Sequence, residues 1–119
     1  MGDEYGFVFV TQPEQAGGLV RLAKTNGYAF IKVYNHISAP VFDALVDEGR
    51  KLGMAVIGHG VLAVGLPAAL FRGQVMVAHG EEFIYTAFHD KVDQSKIAAV
   101  VSETRRSNAY VTPICLPLR

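Results

Sequence analysis

Short apolar runs of strand length alternate with segments of helical period along this chain. That alternation is the mark of βα units and a parallel sheet, because parallel strands need a crossover and the crossover is usually a helix. The runs are Phe7-Val8-Phe9-Val10, Ala29-Phe30-Ile31-Lys32-Val33-Tyr34, Met54-Ala55-Val56-Ile57, Val75-Met76-Val77-Ala78 and Ala109-Tyr110-Val111-Thr112. About five strands and four helices follow. With 119 residues, the chain is one domain by length. A five-stranded doubly wound sheet fits it whole, whereas a (β/α)8 barrel takes about 250 residues, of which this would be about half.

The helices are delimited by local chemistry. Thr11 and Glu14 are spaced as a capping box with Pro13 in the first turn, so a helix is predicted there, ending near Gly27. Ser38 caps a second helix with Pro40 in its first turn and Gly53 as its stop. Residues 66 to 72 suit a short helix stopped by Gly73. The last is predicted from Asp90, with Asp93 near its start and Arg105 and Arg106 near its end, stopping at Asn108.

Charge and composition exclude several classes of function. Eleven basic residues balance eleven acidic ones, leaving no excess to neutralise phosphates, so nucleic acid is not an expected partner. The five tyrosines form no base-stacking pattern. No apolar stretch approaches the roughly 18 residues needed for a membrane span, and no signal peptide precedes Phe7, which leaves the compartment open. The lone Cys115 reads as a small apolar residue in a strand. Gly58, Gly60 and Gly65 lack the spacing of a dinucleotide fingerprint.

Three polar residues punctuate consecutive strands: Lys32 within the second run, His59 just after the third and His79 just after the fourth. In parallel α/β folds the C-terminal strand ends meet at one rim, where sites assemble. Glycines follow both histidines and leave room around them. Two imidazoles on neighbouring strand ends are a start for a transition-metal site. Lys32 points opposite to Ile31 and Val33, toward the centre of a barrel, where burial would demand a partner or loss of its charge. His36 and His89 read as solvent-facing loop residues; Glu81 and Glu82, following His79 on the presumed rim, could touch substrate or support a ligand from behind, but a solvated acidic pair is the commoner arrangement.

The segments Phe30-Ile31-Lys32-Val33-Tyr34, Leu52 to His59, Ala78-His79-Gly80-Glu81-Glu82-Phe83-Ile84-Tyr85 and Ala109 to Pro113 resemble the metal-dependent amidohydrolase superfamily. The branch they look most like holds imidazolonepropionase-like and Xaa-Pro-dipeptidase-like enzymes. The resemblance runs from about Phe7 to Pro113 and corresponds to strands three to seven of the family's TIM barrel, so the whole of 1–119 is expected to be a single partial barrel domain. It implies that Lys32 is the lysine carboxylated in many members to bridge two divalent metals. It implies also that His59 and His79 are metal ligands, zinc being the expected ion, in a site of one or two ions that hydrolyses an amide or peptide bond by a metal-activated water. The family's His-x-His pair and its eighth-strand aspartate have no counterpart here.

A partial barrel leaves strand edges unpaired, so the chain is expected to self-associate or to pair with the missing barrel part. The competing reading is a non-catalytic, stand-alone α/β module that binds an anion or one metal ion through the same three residues.

Overall fold

The computed structural model describes residues 7–113. Within them, four parallel strands run in the order β1-β2-β3-β4. They are β1 (Phe30–Val33), β2 (Ala55–Gly58), β3 (Gln74–Val77) and β4 (Tyr110–Val111), and helices alternate with them. These are α1 (Pro13–Thr25), α2 (Ala39–Leu52), α3 (Leu66–Arg72) and α4 (Gln94–Ser107), with a π-helical turn over Phe83–Ala87 after β3. The fold is therefore the expected α/β repeat of parallel βα units.

The helix boundaries follow their capping chemistry. The first box sits one residue later than predicted: Gln15 Oε1 accepts from the amides of Thr11 (3.0 Å) and Gln12 (3.1 Å), so Gln12 and not Thr11 is the cap. Gln15 out-competes Glu14 because helical geometry aims its side chain back at those two amides. Ser38 Oγ accepts from the Val41 amide at 3.4 Å, and Gly53 ends α2 at φ +64°, both as the sequence indicated. Helix α4 starts at Gln94 and not at Asp90. Asp90 stands at φ +65°, outside the helical region, while Asp93 accepts from the Ser95 amide at 3.0 Å and hydroxyl at 2.6 Å.

One predicted strand is absent. Phe7 to Val10 make a single bridge at Val8, and Phe9 is 75% exposed. Val10 nevertheless packs on the core, and Phe7 lies edge-on to Tyr34 with ring centroids 4.9 Å apart. Cys115 falls outside the described residues.

The core lies between the sheet and α1 and α2. Ala16, Val20, Val41, Phe42, Leu45, Val46, Val33, Met54 and Val56 form one buried cluster, each large side chain contributing about 1.5–3 kcal/mol on burial. A smaller cluster of Leu66, Leu70 and Val77 seats α3 on β3. Because Ile31 and Val33 turn toward this core, Lys32 is left on the opposite face of β1.

The β2–β3 pair contains an irregularity that the sequence did not announce. Val56 pairs with Gln74, but Ile57 pairs with Met76, so β3 carries an extra residue. The buried Gln74 side chain fills the gap: its Nε2 lies 3.1 Å from Gly58 O, 3.0 Å from His59 O and 3.0 Å from Met76 O. A side-chain amide thus adds donors to backbone carbonyls just past the irregularity. Beyond the irregularity the ladder resumes, with the Ala78 amide donating to Gly58 O at 2.8 Å.

Candidate metal centre

The parallel register brings the C-terminal strand ends level. Val33 pairs with Gly58, Gly58 with Val77, and Val77 with Val111. His59 follows β2 directly, and its amide donates to Val33 O at 3.0 Å, so the ladder holds its backbone. Gly58 before it has φ +128°, and a side chain there would collide with the Val33 backbone, so only glycine allows β2 to end this close to β1.

His59 and His79 converge as the sequence indicated: their ring centroids are 4.7 Å apart, with 59° between planes. The His59 ring stacks on Tyr34, centroids 4.3 Å apart and planes within 23°. His59 Nδ1 and His79 Nδ1 are both buried, and neither has a hydrogen-bond partner among the described residues. Buried imidazole nitrogens are ordinarily satisfied, so a pair of adjacent unsatisfied ones suits an electrophile such as a metal ion. Burial pushes the His59 imidazole below its ordinary pKa; Glu82 opposes the shift, and the positive charges of His79 and Lys32 add to it. The neutral ring is the form that binds a metal.

Lys32 reaches the same face, but its expected burial is corrected. Its side chain is exposed, with Nζ 5.2 Å from the Tyr34 ring centroid. The physical reason is that its face of β1 carries no helix; the helices of the core lie on the other side. No group of three or more His, Cys, Asp or Glu residues with metal-binding geometry occurs among the described residues.

Glu82 is the residue that sequence reasoning misjudged. It is 3% exposed, and Oε2 accepts from the Gly60 amide at 3.0 Å and from Asn35 Nδ2 at 2.8 Å. Oε1 stands 3.8 Å from His59 Nε2. Asn35 Nδ2 also donates to Gly60 O at 3.0 Å, so the peptide units around Gly60 are held from both sides. Glu81 is half-buried, while His36 and His89 are exposed, as expected. No residue pattern marks Glu82; its burial shows only in the fold, where Thr86 four residues on is buried too, its hydroxyl donating to Glu82 O at 2.7 Å. Tyr34 was the other omission: as the last residue of the second apolar run it carries no signal of a place beside His59.

No family model and no curated protein matches the chain. Solved structures do. A bottromycin amidohydrolase superposes with a TM-score of 0.61 at 27% identity, covering 85% of this chain and 22% of its own. The fold is that of an amidohydrolase barrel segment. Another amidohydrolase superposes at 0.58 with 20% identity, and an uncharacterized protein at 0.63 with 21%; each match covers 91% of this chain and 27% of the other. The chain thus spans about a quarter of the length of the amidohydrolases it matches. The expected partial TIM barrel stands, with four of the five anticipated strands formed among the described residues.

No helix among the described residues is long and apolar enough to cross a membrane.

Proposed function

We propose that this chain carries part of the metal site of an amidohydrolase that cleaves a C–N bond, in an amide or peptide, in a small substrate. The observation that carries the reading is the pair of buried, unpartnered imidazole nitrogens on adjacent strand ends, on an amidohydrolase-like fold. His59 and His79 would hold a divalent ion, zinc by resemblance, and Lys32 would join them as an oxygen ligand once carboxylated. Such an ion supplies Lewis acidity and an activated water.

The chain's own residues do the positioning. Tyr34 fixes the plane of the His59 ring by stacking, and Phe7 braces Tyr34 from the side. The Val33 carbonyl and the Gln74 amide anchor the His59 backbone through its N–H and C=O respectively. Lys32 stands on the open face of β1, where carbon dioxide has access to its amine.

The same reading includes association. Among the described residues β1 pairs only with β2 and β4 only with β3, and the edge residues Phe30 and Tyr110 are 56% and 75% exposed. A second copy, or the complementary strands of a barrel, would cover them.

The test is metal content by plasma mass spectrometry after purification with bicarbonate and zinc and exhaustive dialysis. Wild type is expected to retain metal, and His59→Ala and His79→Ala to lose it. Metal at background in the folded wild type would overturn the reading.

A further inference from the structure

A buried carboxylate needs a reason, and Glu82 has more than a structural one. Its Oε2 is occupied by two donors, the Gly60 amide and Asn35 Nδ2. Its Oε1 faces the side of the His59 ring opposite in kind to the unpartnered Nδ1, standing 3.8 Å from Nε2. One face of that ring is covered by Tyr34. The imidazole is thus held in orientation by stacking, with one nitrogen toward an anion and the other left without a partner.

We propose that Glu82 is the positioning residue of His59: it holds the imidazole with the proton on Nε2, so that Nδ1 keeps its lone pair for a metal ion. This rests on the metal-binding role proposed for His59, although the tautomer itself exists without metal. The physical ground is that an anion beside one ring nitrogen draws the single proton of a neutral imidazole to that nitrogen. Carboxylates in this relation to a ligating histidine fix both tautomer and ring plane.

Asn35 and Gly60 complete the device. Because their bonds all fall on Oε2 or on the Gly60 carbonyl, they fix the direction of the carboxylate without competing for Oε1. A glutamine at position 82 can keep both bonds by turning its carbonyl oxygen to Asn35 and Gly60. It then presents an amide donor to His59 Nε2 where the native protein presents an acceptor. Glu82→Gln therefore reverses the proton preference of His59 while preserving the bonds that hold the loop.

The experiment has two arms on the full chain. In the metal-free protein at about pH 8, where a histidine is neutral, long-range proton–nitrogen NMR reads which nitrogen of His59 is protonated. Wild type is expected to carry the proton on Nε2, and Glu82→Gln to move it wholly or partly to Nδ1. Glu82→Asp, a shorter carboxylate, should retain the wild-type tautomer in part. The same tautomer in wild type and Glu82→Gln, with both folded by circular dichroism, would overturn the proposal. In the second arm, cobalt(II) is titrated in competition with a chelator and its visible spectrum recorded. Glu82→Gln should bind about 10- to 100-fold more weakly, with an altered spectrum that Glu82→Asp partly restores. If wild type binds no cobalt, the metal reading fails, and the tautomer measurement alone decides the role of Glu82. If wild type binds and Glu82→Gln binds equally with the same spectrum, Glu82 has no positioning role.

Discussion

Replacing Gly60 with alanine tests the packing behind the rim. Gly60 is buried, and its φ is not in the left-handed region, so an alanine there carries no backbone strain. The obstacle is steric. A methyl group would land on Thr86 Oγ1 and lie 2.7 Å from Thr86 Cβ and 3.0 Å from its Cγ2. The π-helical turn would have to retreat, at a cost of about 2 kcal/mol for overpacking. Any retreat also draws Glu82 from the Gly60 amide, because Thr86 is bonded to the Glu82 carbonyl. A buried bond to a charged group contributes about 2 kcal/mol. Gly60→Ala should therefore destabilise by about 4 kcal/mol, which for a chain of this size lowers the melting midpoint by about 15 °C. Urea unfolding of Gly60→Ala, Thr86→Ala and the double variant measures it. Thr86→Ala removes two of the three clashing atoms, so the double variant should be more stable than the separate costs imply by at least about 1 kcal/mol. A Gly60→Ala cost below about 1 kcal/mol, or costs that simply add, would refute this account of the rim.

Three further outcomes are expected. Ser38→Ala should cost about 1 kcal/mol in chemical unfolding, since it removes the oxygen that accepts from the Val41 amide at the start of α2. Because burial lowers the His59 pKa below 6.5, the folded metal-free chain binds fewer protons than the unfolded one. Its His59-dependent stability is complete above that value and lost as pH falls below it. Urea midpoints near pH 5.5 and 7.5 should show a drop that is smaller in His59→Ala, and equal drops would contradict the burial argument. Sedimentation should show association that increases with concentration, and Tyr110→Lys should weaken it by placing a charge on the β4 edge; a wild-type monomer at all concentrations would remove the case for edge pairing.

The positions of β2, α2, α3 and the two histidines were legible because each rests on local rules. Ser38 and Gly53 cap α2 by their own chemistry, and a polar residue between an apolar run and a glycine marks the rim wherever the strand ends. Glu82 was not legible in the same way. A pair of adjacent carboxylates reads as solvated until Asn35 and Gly60, from other loops, are brought to one of them. Phe7 to Val10 have a strand's composition, but strand formation also requires a neighbour in register, which composition does not disclose. The burial of Lys32 was inferred from alternation, which gives the face a side chain takes but not what stands opposite that face.

Gln74 braces the pair of strands from whose ends the two imidazoles project. From the start of β3 its amide nitrogen reaches the carbonyl oxygens of Gly58, His59 and Met76, toward the strand ends that carry the two histidines. Only a donor suits that place: a glutamate would set oxygen against oxygen, and an asparagine is one methylene shorter. The side chain works as a ratchet pawl between two strands, blocking a slip of register that would turn every later residue of β3 to the other face. A residue with no part in the chemistry thereby helps hold the strand that carries His79, and a screen of the rim alone would overlook it.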